Sequence, residues 1–349
     1  MNTLKIGVVG LTVGNEHIKS YMNAPYDIEI FICDIDKDRL NTIGTKHQIP
    51  LENRFCDFDE MLSSVKLDAV SICVPNFLHK SFTIKALEAG AHVLCEKPMS
   101  VNATDALLMK EAADRTGKKL MINYNQRFTK NCRIAQKLIS EGVLGDIYFV
   151  RTVWHRRRGV PWWYPLSEAD KTCGGGPLID LGCHVLDRAL WMCGFPKPKW
   201  ILANTFCAVV GEEAKQRGID NFSVEDMGVA MLAMENGMML ELEASWASNR
   251  ESELVKTRIY GTKGGLVIAS DYASDNRSIN SLFIEKDGIL EDVSFSDFED
   301  EDTGDIRISF IESILNDTQP VCTAEQGLTV MRILDKIYLS AKQKIPVEY

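Results

Sequence analysis

No stretch of this chain comes near the roughly eighteen unbroken apolar residues that a bilayer-crossing helix needs. No membrane span is expected. Nor do any two of its ten cysteines stand within four residues of each other, so the close-set pairs of zinc sites and redox motifs are missing. Flanks such as Ile-Cys33-Asp and Ile-Cys73-Val mark the cysteines instead as buried free thiols, and no metal is expected. Positive charge is in short supply: 39 Lys and Arg face 49 Asp and Glu, for a net charge of -10. Such a field repels nucleic acid and anionic membranes and suits a neutral small molecule. The opening MNTLKIGVVG breaks its apolar run too early for a secretory signal. The expectation is a soluble, cytoplasmic protein without internal repeats or low-complexity linkers.

What is present is core. A chain of 349 residues with 45% hydrophobic content supports two domains. Its first third alternates short β-branched runs with amphipathic stretches. Strands are expected at Lys5–Val9, Ile28–Cys33, Ala69–Val74, His92–Cys95 and Lys119–Asn123, with helices up to Met22 and around Asp38–Lys46, His79–Ala89 and Ala103–Thr116. That rhythm predicts an α/β, Rossmann-type, doubly wound parallel sheet over residues 1–123. Beyond it a helix at Lys130–Glu141 precedes longer strands, among them Ile147–Trp154, Met227–Met234 and Met238–Trp246. Their spacing predicts a second, α+β domain over 124–349 with a large open, mostly antiparallel sheet. Apolar residues Leu328, Met331, Leu334, Ile337 and Leu339 predict a final helix near 324–342, for packing rather than chemistry and free to return toward the first domain. Six acidic residues between Asp297 and Asp305 read as a solvated loop.

Gly10 follows the first strand and Gly14 lies four residues on. A dinucleotide site needs a tight turn there, so that backbone can approach a pyrophosphate at a helix N-terminus. In the usual glycine pattern Thr12 stands where the second glycine would fall, and the loop looks one residue short. Asp34, 24 residues after Gly10 at the end of the second strand, can accept hydrogen bonds from ribose hydroxyls and would repel a 2′-phosphate. NAD is therefore expected over NADP, although Lys37 and Arg39 could reach a phosphate.

Four further segments stand out: Val74-Pro-Asn76, Cys95-Glu96-Lys97-Pro98, Asn123-Tyr-Asn-Gln-Arg127-Phe, and the run from Gly174-Gly-Gly-Pro through Asp180 to His184. With Ile259-Tyr-Gly261-Thr-Lys263-Gly they resemble the glucose-fructose oxidoreductase, inositol dehydrogenase and MocA family over nearly the whole chain. The resemblance implies a Rossmann domain followed by an open-sheet domain that carries the substrate site and often the oligomer contact, here a homodimer or tetramer. It also implies that Asn76 and Glu96 contact the nicotinamide half of the cofactor, and that Lys97, Asp180 and His184 are the catalytic set.

Those residue types suit the chemistry. Oxidising a secondary alcohol needs a base for the hydroxyl proton, a cation for the developing alkoxide, and a contact that aims the C–H bond. His184 is the natural base, since imidazole titrates near neutrality. Lys97 follows a strand at the carboxyl end of a parallel sheet, where ligands gather. Asp180 precedes His184 by four residues, which on a helix puts both on one face, oriented toward a hydroxyl or the imidazole. The stretch from Trp154 through Arg156, Arg157 and Arg158 to Trp162-Trp163-Tyr164 offers aromatic faces and guanidinium forks. Arg158 and Trp163 are candidates to cover a sugar, the alternatives being a buried or solvated basic loop. Tyr124 and Arg127 either face the substrate or form an ion pair or core position. His79 and His155 have no assigned role.

The leading expectation is an oxidoreductase exchanging hydride between NAD and a ring hydroxyl of a sugar, glycoside or cyclitol. A glycoside-cleaving enzyme that oxidises its sugar transiently is the second reading, and a non-catalytic cofactor sensor the third. Retention of Lys97, Asp180 and His184 speaks against the sensor.

Overall fold

The computed structural model describes residues 3–162, 166–269, 280–298 and 304–349. It divides into two units, Met1–Tyr124 with Gly304–Thr329 and Asn125–Thr303 with Val330–Tyr349. The first unit's main segment ends at Tyr124, one residue past the expected 123/124 division. Gly304–Thr329 belongs with the first unit, although it lies far along the chain.

The first unit is built on six parallel strands: β1 (Leu4–Val9), β2 (Ile28–Cys33), β3 (Arg54–Phe55), β4 (Ala69–Ile72), β5 (His92–Cys95) and β6 (Leu120–Ile122). Their order, β3-β2-β1-β4-β5-β6, is doubly wound and reverses between β1 and β4. At such a switch point the loops leaving neighbouring strands diverge and open a crevice. Helices cover both faces, which is why Ile6, Val8, Ile32, Val70, Ile72, Val93 and Leu94 form near-continuous buried runs. Helix starts follow capping chemistry: the Asp36 carboxylate accepts from Asp38 N and Arg39 N ahead of helix Lys37–Lys46, and the Asn102 side chain accepts from Asp105 N ahead of Ala103–Thr116. The returning segment supplies helix Ile306–Leu315, which packs on β5 and on helix Leu11–Met22. The Ser20 hydroxyl donates to Asp305 there at 2.6 Å.

The second unit carries a nine-stranded sheet: β7 (Ile147–His155), β8 (Pro198–Phe206), β9 (Met227–Met234), β10 (Met239–Ser245), β11 (Leu254–Gly261), β12 (Gly264–Ala269), β13 (Ser281–Lys286), β14 (Ile289–Ser294) and β15 (Val347–Glu348). The order is β14-β13-β12-β11-β7-β10-β9-β8-β15. Every neighbouring pair is antiparallel except β7 and β10. Burial alternates residue by residue along β9, the signature of a sheet with one covered face. Helix Cys183–Met192 packs on β7 and is buried almost throughout. The final helix, Ala324–Gln343, is shared: it belongs to the first unit up to Thr329 and to the second from Val330. All ten cysteines are free thiols, with Cys56 and Cys207 exposed. Among the described residues no helix is long and apolar enough to cross a membrane.

Candidate active site

In the first unit β1 passes into helix Leu11–Met22 through Gly10 alone. Gly10 has φ +84°, and a Cβ there would lie 2.4 Å from the Cys73 carbonyl oxygen, so only glycine allows this approach of the turn to β4. Thr12 is exposed on the first helical turn, and Gly14 is buried on the helix's inner side. The tight turn and the helix N-terminus fit a dinucleotide pyrophosphate despite the missing middle glycine.

Asp34 ends β2 and is 5% exposed. Its carboxylate accepts from Leu11 N at 2.8 Å and Asp36 N at 2.9 Å, so it braces the glycine turn. Arg39 closes on it at 3.2 Å and on Asp36 at 3.1 Å. The guanidinium that could have welcomed a 2′-phosphate is thus engaged by two carboxylates.

Two loops leave the carboxyl ends of β4 and β5. Asn76 begins a short 3₁₀ turn after β4, and Glu96 and Lys97 follow β5 directly. Buried His79, unassigned from sequence, ties these loops together: its ring nitrogens lie 2.8 Å from Val74 O and 2.8 Å from Pro98 O. The Lys97–Pro98 peptide is cis. Glu96 faces inward, accepting from Lys97 N at 3.2 Å and from the side chains of His17 (2.9 Å) and Asn123.

In the second unit, Leu178–Gly182 is a π-helical turn that runs into α-helix Cys183–Met192. Asp180 and His184 therefore do not sit on one regular α-helix as expected. The turn is widened, a feature frequent at functional sites. Asp180 is 21% exposed. Its Oδ2 accepts from Trp246 Nε1 at 2.9 Å, and Arg156 Nη1 lies 3.8 Å away. The Trp154 ring meets the His184 ring at 5.6 Å between centroids, and the Arg156 guanidinium lies 5.9 Å from the Trp154 ring. Arg156, which approaches both Asp180 and Trp154, also lines a cavity of about 370 Å³ together with Arg157, Arg158, Gly159, Val160 and Glu253.

The backbone feeding this turn is held from behind. Gly175 has φ +152°, and a Cβ on it would lie 2.1 Å from Tyr338 Oη. Buried Glu225 accepts from Gly176 N and Leu178 N, both at 3.1 Å, and from the Tyr338 hydroxyl at 2.8 Å. Burial pushes the Glu225 carboxyl up, against the pull of these donors.

Of the places expected for Arg127, the structure shows the ion pair: Arg127 is fully buried and donates to Asp187 through Nε (2.9 Å) and Nη2, with Phe195 and Trp191 beside it. Tyr124 is likewise closed to solvent. Arg158 donates to the Arg157 and Ser248 carbonyls and to Asn249 Oδ1, fastening its loop, while Arg156 is the arginine that approaches Asp180. Trp163 and Tyr164 lie outside the described residues, as does the acidic run between Phe298 and Gly304. Sequence reasoning missed Trp246, Glu225 and Tyr338. Only Trp246 left a signal, an indole at the end of an expected strand.

The chain matches the model of an oxidoreductase family with an NAD-binding Rossmann fold over residues 4–124, and the model of the GFO/IDH/MocA C-terminal domain over residues 132–267. It is 30% identical to the D-glucoside 3-dehydrogenase of Escherichia coli (strain K12), an alignment covering 99% of this chain and 97% of that one. The scyllo-inositol 2-dehydrogenase (NADP(+)) IolW of Bacillus subtilis (strain 168) is 26% identical, with 99% and 95% covered. The solved aldose-aldose oxidoreductase of Caulobacter crescentus, complexed with glycerol, superposes with TM-score 0.83 over 100% of both chains at 24% identity, a likeness of fold.

Proposed function

Since the chain belongs to the GFO/IDH/MocA family of oxidoreductases, we propose that it moves hydride between NAD and a secondary ring hydroxyl or ketone of a sugar, glycoside or cyclitol. The observation that carries this reading is the set of contacts at the π-turn: Asp180 held by Trp246, His184 against Trp154, and Arg156, which lines a cavity, near both Asp180 and Trp154. Aromatic faces pack on sugar C–H surfaces, and a carboxylate with a guanidinium binds ring hydroxyls. The relatives named for D-glucoside and scyllo-inositol support that substrate class.

In this reading His184 takes the hydroxyl proton and Lys97 stabilises the alkoxide that develops. Asp180 accepts a neighbouring hydroxyl and fixes the ring, so that one C–H bond points in a single direction. Gly10, Gly14, Thr12 and Asp34 would hold the adenosine and pyrophosphate half of the dinucleotide, with Asn76 and Glu96 toward the other half. When bound, the nicotinamide ring supplies the hydride acceptor or donor. NAD is favoured over NADP because Asp34 puts negative charge at the end of β2 and Arg39 is already paired with Asp34 and Asp36. We further propose a homo-oligomer in the cytoplasm, its size to be read by light scattering.

The test is nicotinamide reduction by purified protein against free sugars, glycosides, sugar acids and cyclitols, with NAD and NADP in parallel. Reduction with one class of ring alcohol is the expected result. Aglycone release without net reduced cofactor would replace it with transient oxidation, and cofactor binding without turnover of any ring alcohol would refute the proposal.

A further inference from the structure

Behind Lys97 lies a buried chain of polar side chains of which the proposed chemistry uses Glu96 alone. Tyr21 Oη is 2.6 Å from Ser71 Oγ, Ser71 Oγ is 3.0 Å from His17 Nδ1, and His17 Nε2 is 2.9 Å from Glu96 Oε1. Tyr21 and His17 both come from the helix that follows the glycine turn, Ser71 from β4, and Glu96 from the loop that carries Lys97. His17 and Ser71 are 0% exposed, and Tyr21 is 1% exposed.

One arrangement of protons satisfies all of these contacts. A neutral His17 donates from Nε2 to the carboxylate and accepts at Nδ1 from the Ser71 hydroxyl, which accepts in turn from Tyr21. Every donor then points toward Glu96. Burial pulls the His17 pKa down and keeps the ring neutral, against the opposing pull of Glu96. Burial alone would raise Glu96, yet the His17 bond, the charge His17 gains when it is protonated in acid, the Asn123 amide and the Lys97 charge hold it at about 2. The donor atoms of His17, Cys73 and Glu96 lie within 4.8 Å of one another, a spacing open to metal ligation. Burial, however, keeps the Cys73 thiol protonated and both His17 nitrogens are engaged, so the cluster reads as a hydrogen-bonded chain.

We propose that His17 is a positioning residue for hydride transfer: through the chain from Tyr21 and Ser71 it fixes an ionised Glu96 beneath the backbone of Lys97 and so ties the catalytic loop to the cofactor-binding helix. The chain begins on the helix whose N-terminus receives the dinucleotide and ends on a carboxylate that accepts from Lys97 N at 3.2 Å. A rigid link between these two elements is what a reaction sensitive to sub-ångström placement requires. The groups facing His17 are Tyr21 on its own helix, Ser71 and Cys73 from β4 and its end, Glu96, Lys97 and Asn123 from the loops after β5 and β6, and Asp305 and Arg307 from the returning segment. The proposal rests on Lys97 being the alkoxide-stabilising group.

The experiment uses His17→Leu, which keeps bulk without hydrogen bonds, and His17→Gln, whose amide can donate where Nε2 does. Carboxyl titration is followed by NMR in protein labelled at the glutamate δ-carbon, with Glu96→Gln identifying the signal. Kinetic pH profiles are taken with the best ring-alcohol substrate. His17→Leu should raise the Glu96 titration by about one to three pH units. It should also lower kcat roughly ten- to a hundredfold, while changing the KM for substrate little, and move the acid limb of the profile upward with Glu96. His17→Gln should restore most of both. An unmoved Glu96 signal in His17→Leu, or a His17→Gln protein that melts like wild type yet is as slow as His17→Leu, overturns the proposal. If His17→Leu does not fold, Ser71→Ala, which removes the donor to Nδ1, must shift both readouts in the same direction or the idea fails. The NMR arm needs no substrate. A wild type with the expected Glu96 behaviour and no turnover of any ring alcohol would therefore refute the reading of Lys97, and this role for His17 with it, while leaving the His17–Glu96 coupling intact.

Discussion

Replacing Asp187 with Ala should destabilise the second unit more than any change at its surface. Arg127 and Asp187 have side chains 0% exposed and share two hydrogen bonds, so the mutation removes a buried carboxylate from a buried guanidinium. Removing one partner of such a pair costs about 3–5 kcal/mol, because the remaining charge stays desolvated. Against a typical total of about 5–15 kcal/mol this is a large share. At about 2–4 °C per kcal/mol for a unit of this size, the melting point should fall by roughly 6–20 °C. The Phe195 and Trp191 rings, 5.3 and 5.7 Å from the guanidinium, recover only part of the loss. Thermal and urea unfolding measure it. The double variant Arg127→Met with Asp187→Leu should sit close to wild type, since two apolar side chains fill the space without an orphaned charge. An Asp187→Ala protein melting within about 2 °C of wild type, or a double variant worse than the single, would refute the reasoning.

Further outcomes follow from the same geometry. Lys97→Met should lower kcat by about 10²–10⁴-fold while NAD binding, followed by tryptophan quenching, stays largely intact. Glu225→Ala leaves Gly176 N and Leu178 N without their acceptor and loosens the turn that holds Asp180; kcat should fall with the sugar KM rising, and Glu225→Gln should recover part because it keeps one acceptor. Burial, helped by Lys118 and Lys119, lowers the His92 pKa to about 4. The unfolded chain takes up that proton near pH 6.5, so this group's contribution to stability is lost as pH falls from about 6.5 toward 4. His92→Asn can still accept from Lys119 N, which now donates to Nδ1 at 2.9 Å, and should flatten that loss when urea midpoints at pH 7 and 5 are compared.

The strands legible in the sequence were those whose physics is local. β1, β2, β4 and β5 are buried on both faces, so they stand out as unbroken apolar runs. β13 and β14 expose most of their residues, with Glu285, Lys286, Glu291 and Asp292 among them, so no apolar run marks them and the Asp287-Gly288 turn between them is their one local signal. The return of Gly304–Thr329 to the first unit depends on contacts with residues almost 300 positions earlier, such as Ser20 with Asp305. At the candidate site, Glu96, Lys97, Asp180 and His184 could be named because their motifs are contiguous. The partner of Arg127 is 60 residues away and that of Asp180 is 66, so neither the ion pair nor the Trp246 bond could be read from spacing. The π-turn escaped for a different reason: a spacing of four residues reads as an α-helix unless the extra residue per turn is seen.

The central claim is hydride transfer from a ring carbon, and the direct test is label transfer. A ring alcohol that reduces NAD should be prepared with deuterium on the oxidised carbon and the product cofactor examined by mass spectrometry and NMR. The account predicts one deuterium on the nicotinamide ring of the reduced cofactor, slowed formation relative to the protiated substrate, and no such transfer by Lys97→Met. Reduced cofactor without deuterium, or a cleaved glycoside whose deuterium has returned to the sugar with no net reduction, would contradict it.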